Sequence, residues 1–174
     1  MGSLTNLQVL DIATNFLNGT LPLGLQNLQN LIFFDLSQNF LGGPLPDFSN
    51  FLKLVEVKLN TNYATNGPEF GFSGTIPSSL GLLTSLVTLD LYENRLTGVL
   101  PGELGSLIKL QVLDVASNTL TGFVPQEYSG LSSLKALYLN GTHIQGSIPT
   151  KMCSLQAYIE VDCSVSCSCC SQCS

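Results

Sequence analysis

The sequence predicts an α/β solenoid, with a parallel β-sheet along one face and short 3₁₀ or helical turns along the back. Three observations predict it. A line of about 24 residues recurs along the 174-residue chain. Each line opens with a strand-like alternation, and Asn, Gly and Pro follow at fixed places. A repeat of this length overrides local readings of helix or strand, because one coil buries too little apolar surface to stand alone and coils must stack.

The lines begin at Leu7, Leu31, Leu54, Leu86, Leu110 and Leu134, and each reads approximately L-x-x-L-x-L-x-x-N-x-L-x-G-x-(I/L/V)-P. In Leu86-Val87-Thr88-Leu89-Asp90-Leu91, alternation puts Leu89 and Leu91 on one face and Thr88 and Asp90 on the other. Stacking these strands predicts two inward columns. One is Leu10, Phe34, Val57, Leu89, Leu113 and Leu137; the other is Ile12, Leu36, Leu59, Leu91, Val115 and Leu139.

The turn after each strand carries Asn15, Asn39, Asn62, Asn94 or Asn118, whose amide can donate to and accept from neighbouring backbone. In the sixth line Thr142 takes that place, so the ladder is expected to weaken there. A Gly then allows a tight bend, and a Pro three residues later fixes φ, as in Gly98 and Pro101. Apolar pairs such as Leu104/Leu107 and Tyr128/Leu131 suit a single inward-facing turn on the back.

These lines resemble the plant-type leucine-rich repeat, whose distinguishing stretch stands here as Leu96-Thr97-Gly98-Val99-Leu100-Pro101. The likeness covers residues 4 to 163, with six of the eight prolines in register. It implies a curved or twisted solenoid of the kind found in receptor ectodomains, in secreted inhibitors of cell-wall-degrading enzymes and in other recognition proteins. The Cys-rich tail is similar to the end of leucine-rich-repeat proteins of diatoms. No amino-terminal cap precedes the repeats, and Leu4 already fits the last apolar position of an earlier coil. The chain is therefore expected to be a carboxy-terminal part of a longer solenoid.

Residues 1–163 are expected to hold six full coils from Leu7 and a degenerate seventh, with 164–174 as a Cys-rich cap. All six cysteines, Cys153, Cys163, Cys167, Cys169, Cys170 and Cys173, fall between residues 153 and 173. They read as a disulfide-stapled end in an oxidising, extracellular setting, with fifteen connectivities open. Zinc is the rival, through the Cys170-x2-Cys173 spacing. Val161 and Cys163 are expected to take the core positions of the seventh strand.

Outside the core, a stripe of Asp11, Asp35, Lys58, Asp90, Asp114, Tyr138 and Asp162 is expected on the exposed face. It is joined by no His or Cys, and it runs in a line instead of converging on a point, so neither catalysis, a metal nor a cofactor is expected. Lys58 is expected to relieve repulsion between Asp35 and Asp90. The ligand-binding candidates are Phe33, Asp35, Glu56, Lys58, Tyr92, Glu93 and Tyr138, with Tyr63 and Phe70 from an eight-residue insertion between Asn62 and Gly74. Two sequons make Asn18 and Asn140 glycosylation candidates.

A charge of -6 disfavours nucleic acid, and no apolar run is long enough to insert into a membrane. The expected function is extracellular recognition of a protein, peptide or glycan, a basic partner being favoured by the acidic stripe. Inhibition of a secreted hydrolase and a spacer or receptor-segment role are the alternatives.

Overall fold

The computed structural model describes residues 3–62 and 71–173, so Tyr63 and Phe70 lie outside the described residues. The alternating starts of the lines form short strands because every second side chain is a large aliphatic or aromatic group that leaves water when coils stack. These strands are β1 (Val9–Asp11), β3 (Phe33–Asp35), β5 (Glu56–Lys58), β7 (Thr88–Asp90), β9 (Val112–Asp114), β11 (Ala136–Tyr138) and β13 (Tyr158–Val161). With β14 (Gln172–Cys173) they make an eight-stranded sheet in the order β1-β3-β5-β7-β9-β11-β13-β14, all described pairs being parallel.

The first predicted core column is in register throughout. Leu10 pairs with Phe34, Phe34 with Val57, Val57 with Leu89, Leu89 with Leu113 and Leu113 with Leu137. Leu89, Leu113 and Leu137 are fully buried. The last coil is shorter than the others: Leu137 pairs with Ile159, 22 residues on. Ile159 and Val161 therefore fill the core positions, correcting the expected pair Val161 and Cys163, and Cys163 is exposed.

A second sheet was not foreseen from the repeat. It runs along the flank in the order β12-β10-β8-β6-β4-β2. Its strands are β2 (Asn18–Thr20), β4 (Phe40–Pro44), β6 (Gly71–Thr75), β8 (Arg95–Gly98), β10 (Thr119–Gly122) and β12 (His143–Ile144). The L-x-G portion of each line forms it. Leu96 and Leu120 point inward and are fully buried, while Thr97, Thr119 and Thr121 are exposed. Gly98 at φ +80° has only the Thr75 side chain against the position a Cβ would take, so this bend depends on backbone freedom.

The turn between the sheets is held by the Asn ladder. The Asn94 amide donates to the carbonyls of Leu59, Leu91 and Tyr92 at 2.9, 3.1 and 3.2 Å and accepts from the Phe72 amide at 2.9 Å. Asn39, Asn62 and Asn118 repeat this arrangement, and all are nearly or fully buried. Just before each Asn the backbone is left-handed at a residue with a side chain: Thr14, Gln38, Thr61, Glu93 and Ser117 have φ between 51° and 54°. Their amides bond to carbonyls of the next coil, as Glu93 does to Ala116, which offsets the conformational cost.

The ladder changes at Thr142, as its side chain requires. Thr142 Oγ1 donates to the Leu139 carbonyl, and Asp162 accepts from the Gly141 and Thr142 amides at 2.8 and 3.1 Å. On the back, five 3₁₀ turns among the described residues cover the core. A Cβ on Gly105 would lie 2.3 Å from the Glu127 carbonyl oxygen, so glycine permits the close stacking of these turns.

Tyr128 takes a back position that Leu80 and Leu104 hold in earlier coils, and its hydroxyl is buried without a hydrogen-bond partner. Burial holds the phenol far above its ordinary pKa, with Glu103 and Glu127 adding to the shift. Tyr128→Phe keeps the ring and removes the unsatisfied group, so it is expected to raise stability by about 1 kcal/mol in thermal unfolding.

The tail closes the far end of both sheets. Gln172 and Cys173 pair with Glu160 and Val161 on the larger sheet. Ser166 bridges to Ser147 beside the smaller one, with Val165 buried beneath. Three disulfides hold it, Cys153–Cys169, Cys163–Cys173 and Cys167–Cys170. No cysteine is left free. Among the described residues no helix is long and apolar enough to cross a membrane.

Candidate ligand-binding face

The outward face of the eight-stranded sheet is a ruled surface, because each strand contributes one row, the rows lie about 4.8 Å apart, and parallel pairing aligns their side chains in columns. The middle column reads Asp11, Asp35, Lys58, Asp90, Asp114, Tyr138, Glu160 and Gln172. Glu160 replaces the expected Asp162, since the short final coil shifts the register by two residues. Asp162 instead caps the turn at Gly141 and Thr142.

Most of these aspartates also do local work. Each accepts from the amide two residues on: Asp11 from Ala13, Asp35 from Ser37, Asp90 from Tyr92 and Asp114 from Ala116. Asp35 accepts the Ser37 hydroxyl as well, at 2.6 Å, and is only 8% exposed. That candidate is turned into the turn and offers little surface to a ligand.

At the amino-terminal half, Phe33, Glu56 and Lys58 come together. Lys58 Nζ lies 2.9 Å from Glu56 Oε2 and 5.1 Å from the centre of the Phe33 ring. The Glu56 contact raises the Lys58 pKa, burial opposes it, and Asp35 and Asp90 add to the rise. Lys58 stands between Asp35 and Asp90 in register.

Tyr92 and Glu93 lie on the next turn, both half-buried. Glu93 borders a polar cleft of about 510 Å³ between the two sheets, with Arg95, Thr97, Thr119 and His143 among its walls. Arg95 and His143 had no place in the sequence reading, because their strands form the sheet that the repeat did not announce.

At the carboxy-terminal half, Tyr138 packs on Tyr158, with ring centres 5.6 Å apart. The Tyr158 hydroxyl reaches Glu160 at 3.2 Å and Gln172 at 3.1 Å. Of this group only Tyr138 was a candidate from sequence. The signal for the rest was the alternation Tyr158-Ile159-Glu160-Val161, hidden by assuming a constant coil length. Burial pushes the Asp114 carboxyl up to about 7, opposed by the Ala116 amide and reinforced by Asp90 and Glu160. Asp90 is also raised, chiefly by burial. The sequon residue Asn18 is exposed on β2, and Asn140 is half-buried.

Comparison with known proteins bears on what such a face does. Leucine-rich-repeat family profiles match residues 6–28 and 83–144. A TDR receptor structure superimposes with a TM-score of 0.85 at 32% identity, over 95% of this chain and 28% of that one. The chain is a leucine-rich-repeat solenoid. The Arabidopsis receptor kinase HAESA, solved with the peptide hormone IDA and the co-receptor SERK1, is 30% identical over 95% of the leucine-rich-repeat chain and 31% of its own, TM-score 0.73. A plant ice-binding protein is 28% identical, with coverage of 95% and 52% and a TM-score of 0.77. Together these support a plant-type leucine-rich-repeat protein. The solenoid spans only between about a quarter and about a half of the length of these proteins. No curated protein matches the chain at a significant level.

Proposed function

We propose that this leucine-rich-repeat chain recognises a peptide or protein ligand outside the cell through the outward face of its larger sheet. The observation that carries the reading is the column of aromatic and charged side chains held in parallel register over a fully buried core. A rigid ruled face presents these groups with little ordering cost on binding. The similarity to a receptor kinase solved with a peptide hormone supports the reading, and the disulfide-closed tail suits an oxidising compartment. Phe33, Glu56, Lys58, Tyr92, Glu93 and Tyr138 supply contacts, and Tyr63 and Phe70, outside the described residues, remain candidates for the same ligand. Asn18 and Asn140 are the positions at which N-linked glycans would border it.

Capture from extracellular material tests this. The native chain is expected to retain a partner that a triple variant, Phe33, Tyr92 and Tyr138 to Ala, loses. Equal retention by both chains, or none by either, overturns the reading and leaves the spacer role. A captured hydrolase that loses activity in a one-to-one complex would make the chain an inhibitor.

A second reading has one observation in its favour. Thr75, Thr97 and Thr119 stand in register on the smaller sheet, all exposed, and one similar structure is a plant ice-binding protein. Thermal hysteresis by the native chain, abolished by Thr97→Lys, would support binding to ice; its absence in the native chain removes that reading.

A further inference from the structure

Two tyrosines at the carboxy-terminal end of the strand face are held in contact by the strands that carry them. Tyr138 on β11 and Tyr158 on β13 are diagonal neighbours on one face, since Ala136 pairs with Tyr158 and Tyr138 with Glu160. Their ring centres are 5.6 Å apart, with the planes inclined at 46°. The residues between, Leu137 and Ile159, pair with each other and are buried, so the core fixes both strands. Tyr158 is 37% exposed and Tyr138 is half-buried, which leaves the pair open to reagents in solvent. Among the described residues neither Tyr92 nor Tyr128 has another tyrosine ring beside it, and Tyr128 is fully buried.

The Tyr158 hydroxyl donates toward two acceptors, Glu160 Oε2 at 3.2 Å and Gln172 Oε1 at 3.1 Å. Desolvation and then the Glu160 carboxylate hold its pKa above the ordinary value, so the phenol keeps its proton at neutral pH. Loss of an electron makes a phenol strongly acidic, and a carboxylate already hydrogen-bonded to it is placed to take that proton in the same step. The three disulfides of the adjoining tail suit an oxidising compartment, where peroxide-driven one-electron oxidants act.

We propose that Tyr138 and Tyr158 are a site of oxidative crosslinking, joined ring to ring by a one-electron oxidant that consumes hydrogen peroxide, with Glu160 accepting the Tyr158 proton. Each phenol gives up one electron and one proton. The two phenoxyl radicals form a carbon–carbon bond between positions ortho to their oxygens, and the hydrogens on those carbons move to the oxygens. In total two hydrogen atoms leave the protein, and one hydrogen peroxide becomes two waters. Rings already in contact make the joining step intramolecular, which favours this link over coupling between molecules. The product ties β11 to β13 by a bond that reduction does not open, so the last inward strand stays seated on the solenoid even where the disulfides are reduced. The modification stands apart from any ligand of the strand face.

The test treats the full chain, in dilute solution, with hydrogen peroxide and a haem peroxidase. Mass is read after complete reduction of the disulfides, which separates this loss of hydrogen from disulfide formation. The product is expected to be a single chain lighter by two hydrogens, with one crosslinked peptide pair containing Tyr138 and Tyr158. Tyr138→Phe and Tyr158→Phe are each expected to abolish the link. Glu160→Gln keeps an acceptor for the hydroxyl without a base, and is expected to slow coupling about tenfold. No link, a link through other tyrosines, or coupling only between molecules would overturn the proposal. A native rate in Glu160→Gln would overturn the role given to the carboxylate.

Discussion

Asn94→Ala is expected to lower stability by about 3 kcal/mol, with the loss concentrated on one amide. The three carbonyls that the Asn94 side chain serves each keep another donor. Leu59 O is also reached by Asn62, Leu91 O by Asn118, and Tyr92 O by the Thr61 amide. The Phe72 amide donates to the Asn94 side-chain oxygen, and its residue is fully buried. Truncation therefore removes the acceptor from a buried donor and opens a cavity the size of an amide group. Asn94→Asp restores an acceptor for Phe72 but aims a carboxylate at three carbonyls, so it is expected to be no better tolerated. Asn15→Ala, exposed at the first turn, is expected to cost about 0.5 kcal/mol. Denaturant midpoints rank the three variants, and faster hydrogen exchange at Phe72 in Asn94→Ala would identify the mechanism. An Asn94→Ala protein as stable as the native chain would show that water serves this amide.

Removing the Cys153–Cys169 link by paired serine substitution is expected to cost about 3 kcal/mol, the value for closing a loop of this size. This bond joins the last back turn to the tail, whose Val165 covers the end of the core. Without it the tail separates more readily and exposes Ile159 and Val161. Because each coil contacts chiefly its neighbours, the damage is expected to spread from this end. Amides of β13 should lose exchange protection first, those of β11 next, and those of β7 last. Uniform loss of protection over all strands would mean that the solenoid unfolds as one unit and that its end is no weaker than its middle.

The parts of this structure that were legible in the sequence are those written identically in every line. Leu89, Leu113 and Leu137 announced a column because strand alternation and a constant 24-residue step leave one arrangement that buries all three. The Asn ladder was legible for a related reason: a small amide with donor and acceptor is what an inward turn needs. What stayed hidden depended on breaks in the period. The two-residue shortening between Leu137 and Ile159 moved Glu160 into the column and Asp162 into a turn. The second sheet was missed because its strands are short and run through Gly, a residue depleted in strands. Asp35 read as an exposed charge, and only coordinates showed its carboxylate folded back on Ser37.

The tail meets both sheets at once, through Gln172 and Cys173 on one side and Ser166 on the other. It thus acts as a terminator that recognises the geometry of the last coil and nothing further upstream. Duplicating an interior unit such as 87–110 would then lengthen the molecule by one rung, about 4.8 Å, without disturbing a single bond in the stopper. Length and ending are thus set by separate parts of the chain.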